Sequence, residues 1–301
     1  MGSLPRIVVR TCVLLAITTF LPGCFGQTST AAGNSGTAFP PLLQWKNAVI
    51  GGSAAALKAL YSTNPPAQIV TPAGETSADS DASFWTGLKV RRMKLDIIQS
   101  ESPQTGIRQV VFQAEVHSGT PPGEHIVYIT EGQLWQQQGE QWRLAATKRS
   151  DPTRLQQPIS TSKVIYAPGI DAHAEIQHAL ALASKERKRV LVVFGANWCY
   201  DCHVLDLAFH RPDVEAVLQK NYEVVHVDVG EGSKNQDLMQ QYQVPMKKGI
   251  PAIAVLDNDA KLLYSQQGGE FEKARALAPE DVLAFLNKWK PVHAVSRGSA
   301  E

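Results

Sequence analysis

The segment that most constrains the fold is an unbroken apolar run at 190–194, which leads almost directly into a pair of cysteines. Such a run is typical of a strand that is buried on both faces in the centre of a sheet. The sequence CYDC follows at 199–202, and apolar residues then recur at helical spacing at Leu205, Ala208 and Phe209. The pattern predicts a buried strand, a short turn and a helix that carries both cysteines in its first turn.

Cysteines at the start of a helix have a distinctive chemistry. The first N–H groups of a helix have no partner within it, and their partial positive charge favours thiolate over thiol. We therefore expect a lowered pKa for Cys199, which would attack disulfides. Cys202 lies one helical turn further on and would resolve the mixed disulfide. The pair thus predicts thiol–disulfide exchange through a reversible Cys199–Cys202 disulfide.

The rest of the second half alternates between helices and strands. The predicted elements are a helix capped by Asp171, the strand at 190–194, helices from Cys202 and Pro212, a strand at 222–229, a helix around Leu238, strands at 252–256 and 262–264, and a helix from Pro279. Together with the WCYDC sequence at 198–202 and Gly249-Ile250-Pro251, this order resembles the thioredoxin family over residues 171–290, in its exported bacterial thioredoxin_7 type.

That resemblance implies an α/β domain with a mixed central sheet flanked by helices. It also implies that Pro251 is cis and lies beside the cysteines, and that Ile250 offers its backbone to the substrate. Trp198 and Tyr200 would complete the substrate groove. The expected partners are protein thiols and disulfides, together with a redox partner that the sequence does not identify.

Two positions depart from the family pattern. Tyr200-Asp201 replaces the Gly-Pro between the cysteines, and Val193 replaces a buried Asp on the preceding strand. His226 or Asp228, on the next strand, is the candidate proton relay, unless both are simply structural strand residues. Like-charge repulsion from Asp201 would raise the thiol pKa and so oppose the helix terminus.

Three other interpretations remain open. Cys199-Tyr200-Asp201-Cys202-His203 matches the CxxCH attachment sequence of c-type haem, but buried strands surround it. A zinc site from the two cysteines, His203 and His210 would draw all its ligands from one helix, which disfavours tetrahedral geometry. The third is a thioredoxin-fold docking protein without catalysis. We expect no cofactor and no metal, and His203 as an exposed helix residue.

Residues 41–150 begin with helical spacing and end with strand alternation. Trp45, Val49, Leu57 and Tyr61 mark two helices, and from about residue 90 the apolar period is two. The opening helices, Phe84-Trp85, and the sequences EGQLW at 131–135 and QWRL at 141–144 resemble the NTF2-like (SnoaL-type) family. The resemblance implies an α+β domain in which a curved sheet wraps around helices and forms a conical pocket.

The function of this first domain is less specified by its sequence. Trp45, Trp85, Trp135 and Trp142 are interpreted as packing residues. Asp96 and Glu115 are interpreted as part of a solvated sheet face, and no acid–base pair is evident. We expect the domain to bind a partner or to mediate homodimerisation.

The N-terminus has the layout of an export signal. Arg6 and Arg10 precede the apolar run at 11–21, which is too short to span a bilayer. The ending Leu21-Pro22-Gly23-Cys24 resembles a bacterial lipobox, in which Cys24 would be lipidated. Cleavage after Gly26 is the alternative. The protein would therefore be periplasmic, or a lipoprotein anchored to the outer membrane.

Composition agrees with this organisation. The 301 residues include 29 Lys+Arg and 28 Asp+Glu, which gives no reason to expect a nucleic-acid partner, or a membrane contact other than a lipid anchor. The predicted segments are a signal at 1–24, a flexible tether at 25–40, the NTF2-like domain at 41–150, a linker at 151–170, the thioredoxin-like domain at 171–290, and a tail at 291–301.

Overall fold

A computed structural model describes residues 39–120 and 123–292, apart from the side chain of Met246. The predicted signal segment, Cys24 and most of the tether and tail lie outside these residues. Within the described part of the chain, no helix is both long and apolar enough to cross a membrane.

The first half is a six-stranded mixed sheet with helices on one face. Its elements are α1 Pro40–Ile50, α2 Ala54–Lys58, β1 Gln68–Thr71, β2 Gly74–Thr76, α3 Ala78–Gly87, β3 Val90–Glu101, β4 Ile107–Ser118, β5 His125–Gln138 and β6 Gln141–Arg149. The strand order is β2-β1-β6-β5-β4-β3, with β1 parallel to β6 and all other pairs antiparallel. The predicted NTF2-like α+β fold is confirmed.

Along the long strands of this sheet, side chains alternate between the core face and the outer face. Phe112 and Ala114 of β4 are buried in the core with Trp45 and Trp85 of the helices. The strand alternation predicted from about residue 90 is present in β3 to β6. Tyr128 lies opposite Glu115, on the face away from the core, whereas Ile129 faces inward. The sequence pattern did not predict strands β1 and β2, because four and three residues are too few to show an apolar period.

The second half is a four-stranded mixed sheet between two layers of helices. Its elements are α4 Ala172–Glu186, β7 Arg189–Gly195, α5 Tyr200–Phe209, α6 Pro212–Asn221, β8 Tyr222–Asp228, α7 Gln236–Gln241, β9 Ala252–Leu256, β10 Leu262–Ser265 and α8 Pro279–Trp289, with 3₁₀ turns at Met246–Lys248 and Ala274–Ala276. The order is β10-β9-β7-β8, and β7 is parallel to β8 but antiparallel to β9. This confirms the thioredoxin-like α/β fold.

The apolar strand β7 fits its central position. Val192 and Phe194 pack against α4 and α7 on one face, while Leu191 and Val193 pack against α5, α6 and α8 on the other. The Asp171 carboxylate caps α4 by accepting from the backbone N–H groups of His173 and Ala174.

Residues 151–170 contain no helix or strand but contact both halves. The backbone of Thr153 pairs with that of Tyr128 beside β5, in line with the end of β6, and on the outer face of the first sheet the Gln113 side-chain amide donates to the Gln157 carbonyl at 2.9 Å. Leu155 and Tyr166 are buried. The segment predicted as a linker is therefore a packed connection, and its two ends lie against different domains. The predicted domain borders remain predictions.

Candidate active site

The two cysteines lie at the start of α5 and form a disulfide. Cys199 is the residue that caps the helix, Cys202 lies in its first turn, and their Cα atoms are 5.3 Å apart. The backbone N–H of Cys202 points at Cys199 Sγ, with an N–S distance of 3.1 Å. One of the free N–H groups of this helix terminus therefore faces the sulfur, in the geometry that would stabilise a thiolate.

The predicted groove residues surround Cys199 unequally. The Ile250–Pro251 bond is cis, and the Ile250 carbonyl oxygen lies 3.6 Å from Cys199 Sγ. Trp198 is 56% exposed, and its indole donates to the Gly230 carbonyl at 3.1 Å. Tyr200 points elsewhere, towards the connecting segment. The structure thus brings Ile250 and Pro251 to the sulfur, with Trp198 forming the adjacent surface.

Asp201 does not present a free charge to the cysteines. Its carboxylate accepts from the backbone and guanidinium N–H groups of Arg275, at 2.6 to 3.1 Å. The same guanidinium lies 4.5 Å above the ring of Tyr200. The hydrogen bonds to Asp201 raise the pKa of Arg275, so the arginine stays charged. The expectation that Asp201 raises the thiol pKa did not include Arg275. This arginine is 74 residues away in sequence, so its position could not be inferred from spacing.

The two relay candidates face different surroundings. His226 lies opposite Val193 in the β7–β8 pair, and burial lowers the pKa of its imidazole. Asp228 instead accepts from the Gly230 N–H and pairs with Lys234 at 2.8 Å. Only His226 therefore lies beside the position of the missing acid. Its part in proton transfer stays a prediction.

The residues of the metal and haem alternatives are engaged elsewhere. The prediction that His203 is an exposed helix residue is wrong, because its side chain is buried. Its Nε2 lies 2.8 Å from the Asn197 carbonyl oxygen, which holds the ring in that position. His210 Nδ1 lies 2.7 Å from the Asp206 carbonyl oxygen. In residues 39–120 and 123–292, no three His, Cys, Asp or Glu side chains cluster in a way that would hold a metal.

A third aromatic residue at the disulfide was missed by the sequence analysis. Tyr166, from the connecting segment, packs in one buried cluster with Cys199 and Cys202. Asn197 holds it there, because its side-chain oxygen accepts from the N–H groups of Ile165 and Tyr166 and its amide donates to the Tyr166 carbonyl, at 2.7 to 2.9 Å. The apolar run at 164–166 within a polar stretch was the available signal.

A buried polar cluster in the first domain was also missed. The Tyr61 hydroxyl donates to Asp81 at 2.5 Å, and Arg149 pairs with the same carboxylate at 3.1 Å. Glu131 is fully buried on the helix-covered face of β5 and accepts from Gln133 at 2.7 Å. Asp81 sits on α3 and Glu131 on β5, so only the fold brings the two acids together. Asp96 and Glu115, by contrast, pair with neighbouring Lys94 and His117.

The Asp201–Arg275 pair gives a prediction about thiol reactivity. We expect Arg275→Ala to leave the Asp201 charge uncompensated and to raise the apparent pKa for alkylation of reduced Cys199 by about one unit. The measurement is the pH dependence of iodoacetamide modification, followed by mass. Lys220→Ala, which removes an exposed cation on α6, is the control. The Asp201→Asn/Arg275→Ala double variant should return to the wild-type profile; if Arg275→Ala matches wild type, the carboxylate has no influence on the thiol.

Comparison with known proteins agrees with this geometry. Residues 171–258 match the thioredoxin-like family. The thiol:disulfide interchange protein DsbD 2 of Pseudomonas aeruginosa is 30% identical over 158 residues, which cover 48% of this chain and 25% of that protein. DsbD of Pseudomonas fluorescens is 28% identical over 40% of this chain and 19% of its own length. The chain therefore spans a quarter or less of these relatives.

Similar solved structures match each half of the chain. A disulphide isomerase from Xylella fastidiosa Temecula1 is 37% identical, over 42% of this chain and 97% of that one, with a TM-score of 0.41. An NTF2-like protein from Rhodospirillum rubrum is 20% identical, over 36% of this chain and 93% of that one, with a TM-score of 0.31. By the match of its sequence and by the strand, helix and CxxC geometry described above, the segment 171–258 belongs to the thioredoxin-like family.

Proposed function

We propose that this protein is an exported thiol–disulfide oxidoreductase that acts on protein disulfides. The observation that carries the proposal is the Cys199–Cys202 disulfide at the start of α5, with the Ile250 carbonyl 3.6 Å from Cys199 Sγ. The similarity to thiol:disulfide interchange proteins supports the same chemistry.

The reaction exchanges one disulfide for another. In the reduced protein, the Cys199 thiolate attacks a substrate disulfide, forms a mixed disulfide, and releases one substrate sulfur as a thiolate. Cys202 then loses its proton and attacks Cys199 Sγ, which expels the second substrate thiolate and closes the Cys199–Cys202 bond. The substrate gains two electrons and the protein loses two. The reverse sequence would oxidise a dithiol, and a redox partner must restore the starting state in either case.

The groove residues have separate proposed roles. The Ile250 carbonyl, next to the sulfur, would accept a hydrogen bond from the backbone of an extended substrate segment. Exposed Trp198 would contact apolar side chains beside the substrate cysteine. Pro251 shapes the wall behind Cys199, while Tyr200 acts from the connecting segment side, where its hydroxyl donates to Gln157 at 3.1 Å.

A redox titration of the purified protein tests the proposal. Free thiols are counted by mass after alkylation at defined glutathione or dithiothreitol poise. We expect one reversible two-thiol transition: near about −270 mV for a reductant of the thioredoxin type, or near about −120 mV for an oxidant. Absence of a reversible transition would favour the docking-protein alternative. A haem-sized adduct on both cysteines would favour the c-type haem alternative.

For the NTF2-like domain, we propose a role in binding a partner or a second copy of the chain. The outer face of its sheet is partly covered by the connecting segment of the same chain, because the Gln113 side chain on that face donates to the Gln157 carbonyl. Exposed Ile97 and Ile98, on the edge strand β3, remain available for contact. Light scattering over a range of concentrations should show a dimer that Ile97→Lys/Ile98→Lys dissociates; a monomer at every concentration leaves partner binding as the role.

Export and anchoring complete the proposal. We propose a periplasmic location, with Cys24 either lipidated as the first residue of the mature protein or removed by cleavage after Gly26. Mass analysis of the protein from a bacterial envelope separates the two routes. A diacylated N-terminal cysteine that is lost in Cys24→Ser supports the lipoprotein, and an N-terminus at Gln27 supports the soluble form.

A further inference from the structure

We infer that the Tyr166 hydroxyl is the hydrogen-bond donor that stabilises the Cys202 thiolate during resolution of the mixed disulfide. The inference rests on the proposed thiol–disulfide exchange. It makes Tyr166, which lies outside the segment 171–258, a catalytic residue of the second step.

The Tyr166 hydroxyl lies near the Cys202 sulfur, next to Gly195. Gly195, the last residue of β7, has no side chain, and a Cβ there would collide with the Tyr166 hydroxyl and lie 2.9 Å from Cys202 Sγ. The hydroxyl and the sulfur therefore border the same small space at the end of the strand. Tyr166 is 1% exposed, so water is excluded on that side and a hydrogen bond to a thiolate is strengthened.

The acid that the family resemblance implies on this strand is absent, and His226, the candidate relay, packs against the ring of Tyr166. β7 carries no acidic residue, and Val193, where the family resemblance implies a buried acid, packs among apolar side chains of α5, α6 and α8. Cys202 must nevertheless lose a proton before it attacks Cys199. Burial of a thiolate without a partner is costly, so a donor beside Cys202 is needed, and Tyr166 supplies one.

The surrounding contacts hold Tyr166 in place beside the disulfide. Three hydrogen bonds between the Asn197 side chain and the backbone hold residues 165–166, two accepted and one donated by Asn197, and the Tyr166 ring packs edge-to-face on His226 with centroids 5.5 Å apart. Burial and the nearby Asp206 and Asp228 raise the pKa of Tyr166 above its ordinary value. The hydroxyl therefore remains protonated and available as a donor.

The charged and titratable groups that surround this site set the background for any pH measurement. They are Lys163 of the connecting segment, Asp206 and His210 on and after α5, and His226 and Asp228 on β8. Lys163 and Asp206 pair at 2.5 Å, and none of these groups is changed by the substitution proposed below.

The two steps can be separated with a chromogenic aryl disulfide (dithiobis-nitrobenzoate). Attack by Cys199 releases one nitrothiolate at a rate proportional to reagent concentration. Attack of Cys202 on Cys199 Sγ then breaks the mixed disulfide and releases the second nitrothiolate at a rate independent of that concentration. We expect Tyr166→Phe, which keeps the ring, to slow the second phase about tenfold while leaving the first unchanged. The pH midpoint of the second phase should rise by about one unit.

Tyr242→Phe is the matched control, because Tyr242 is buried in the core on the other face of the same sheet. Its second phase should equal that of wild type. Asn197→Ala, which frees the 165–166 backbone, should also slow the second phase, and adding Tyr166→Phe to it should have little further effect.

The outcomes test the oxidoreductase function and the role of Tyr166 separately. If the wild-type protein releases only one nitrothiolate per chain, Cys202 does not resolve the mixed disulfide and the proposed oxidoreductase function fails. If the wild type shows both phases and Tyr166→Phe resolves the mixed disulfide at the wild-type rate and pH midpoint, the function stands and the role of Tyr166 is wrong.

Discussion

Replacement of Cys199 by Ser is expected to reduce disulfide exchange to the rate of the uncatalysed reaction. A serine hydroxyl remains protonated at neutral pH and cannot replace the thiolate that attacks the substrate. We do not expect Cys202 to substitute for it, because Cys199 is the cysteine whose sulfur lies beside the Ile250 carbonyl in the groove. The measurement is the reduction of a protein disulfide by chemically reduced enzyme, followed as released substrate thiols.

Cys202→Ser provides the matched control for this experiment. It keeps the attacking sulfur but removes the one that resolves, so the mixed disulfide between Cys199 and the substrate should accumulate. Non-reducing electrophoresis of protein from the cell envelope should show adducts that a reductant removes. Full exchange activity in Cys199→Ser, or equal adduct formation by both variants, would contradict the assigned order of attack.

The sequence predicted those parts of the site that are contiguous in the chain. A run of apolar residues, a cysteine pair and a helical period were enough to place Cys199 at a helix start, because all three are local signals. The sequence triplet around Pro251 added the opposite wall of the groove, but only through the family resemblance. His226 was proposed from its place on the next strand, and it does lie opposite Val193, but its part in proton transfer stays a prediction.

Long-range partners could not be inferred in the same way. Arg275, on a 3₁₀ turn, neutralises Asp201 across 74 residues, and Tyr166 reaches the disulfide from a stretch interpreted as a linker. Neither has a period or a motif, and each acquires its role only when the sheet and connecting segment have packed. In the first domain, Asp81 and Glu131 were likewise unrecognised, because their burial depends on tertiary packing that no local pattern shows.

The buried acid of the first domain gives the second large effect, a loss of stability as the pH rises. Burial, with a smaller contribution from the Asp81 charge, raises the pKa of Glu131 from 4.5 to about 8 in the folded protein. In the unfolded chain, Glu131 ionises near its ordinary value. Between these values the folded state retains a proton that the unfolded state has lost. This group therefore favours folding fully below about pH 4.5, and its contribution declines until the pH passes 8.

We expect the free energy of unfolding of this domain to fall by as much as about 1.4 kcal/mol per pH unit through that window, and Glu131→Gln to flatten the fall. Urea unfolding at pH 5 and 8, followed by fluorescence of the buried Trp45, Trp85 and Trp135, measures it. Glu140→Gln, at the exposed turn between β5 and β6, should retain the wild-type pH dependence.

Because a neutral amide needs no proton to remain buried, Glu131→Gln should exceed wild type in stability at pH 8 and lose that advantage at pH 5. Identical pH profiles for wild type and Glu131→Gln would show that Glu131 is already ionised in the folded domain and would contradict this prediction.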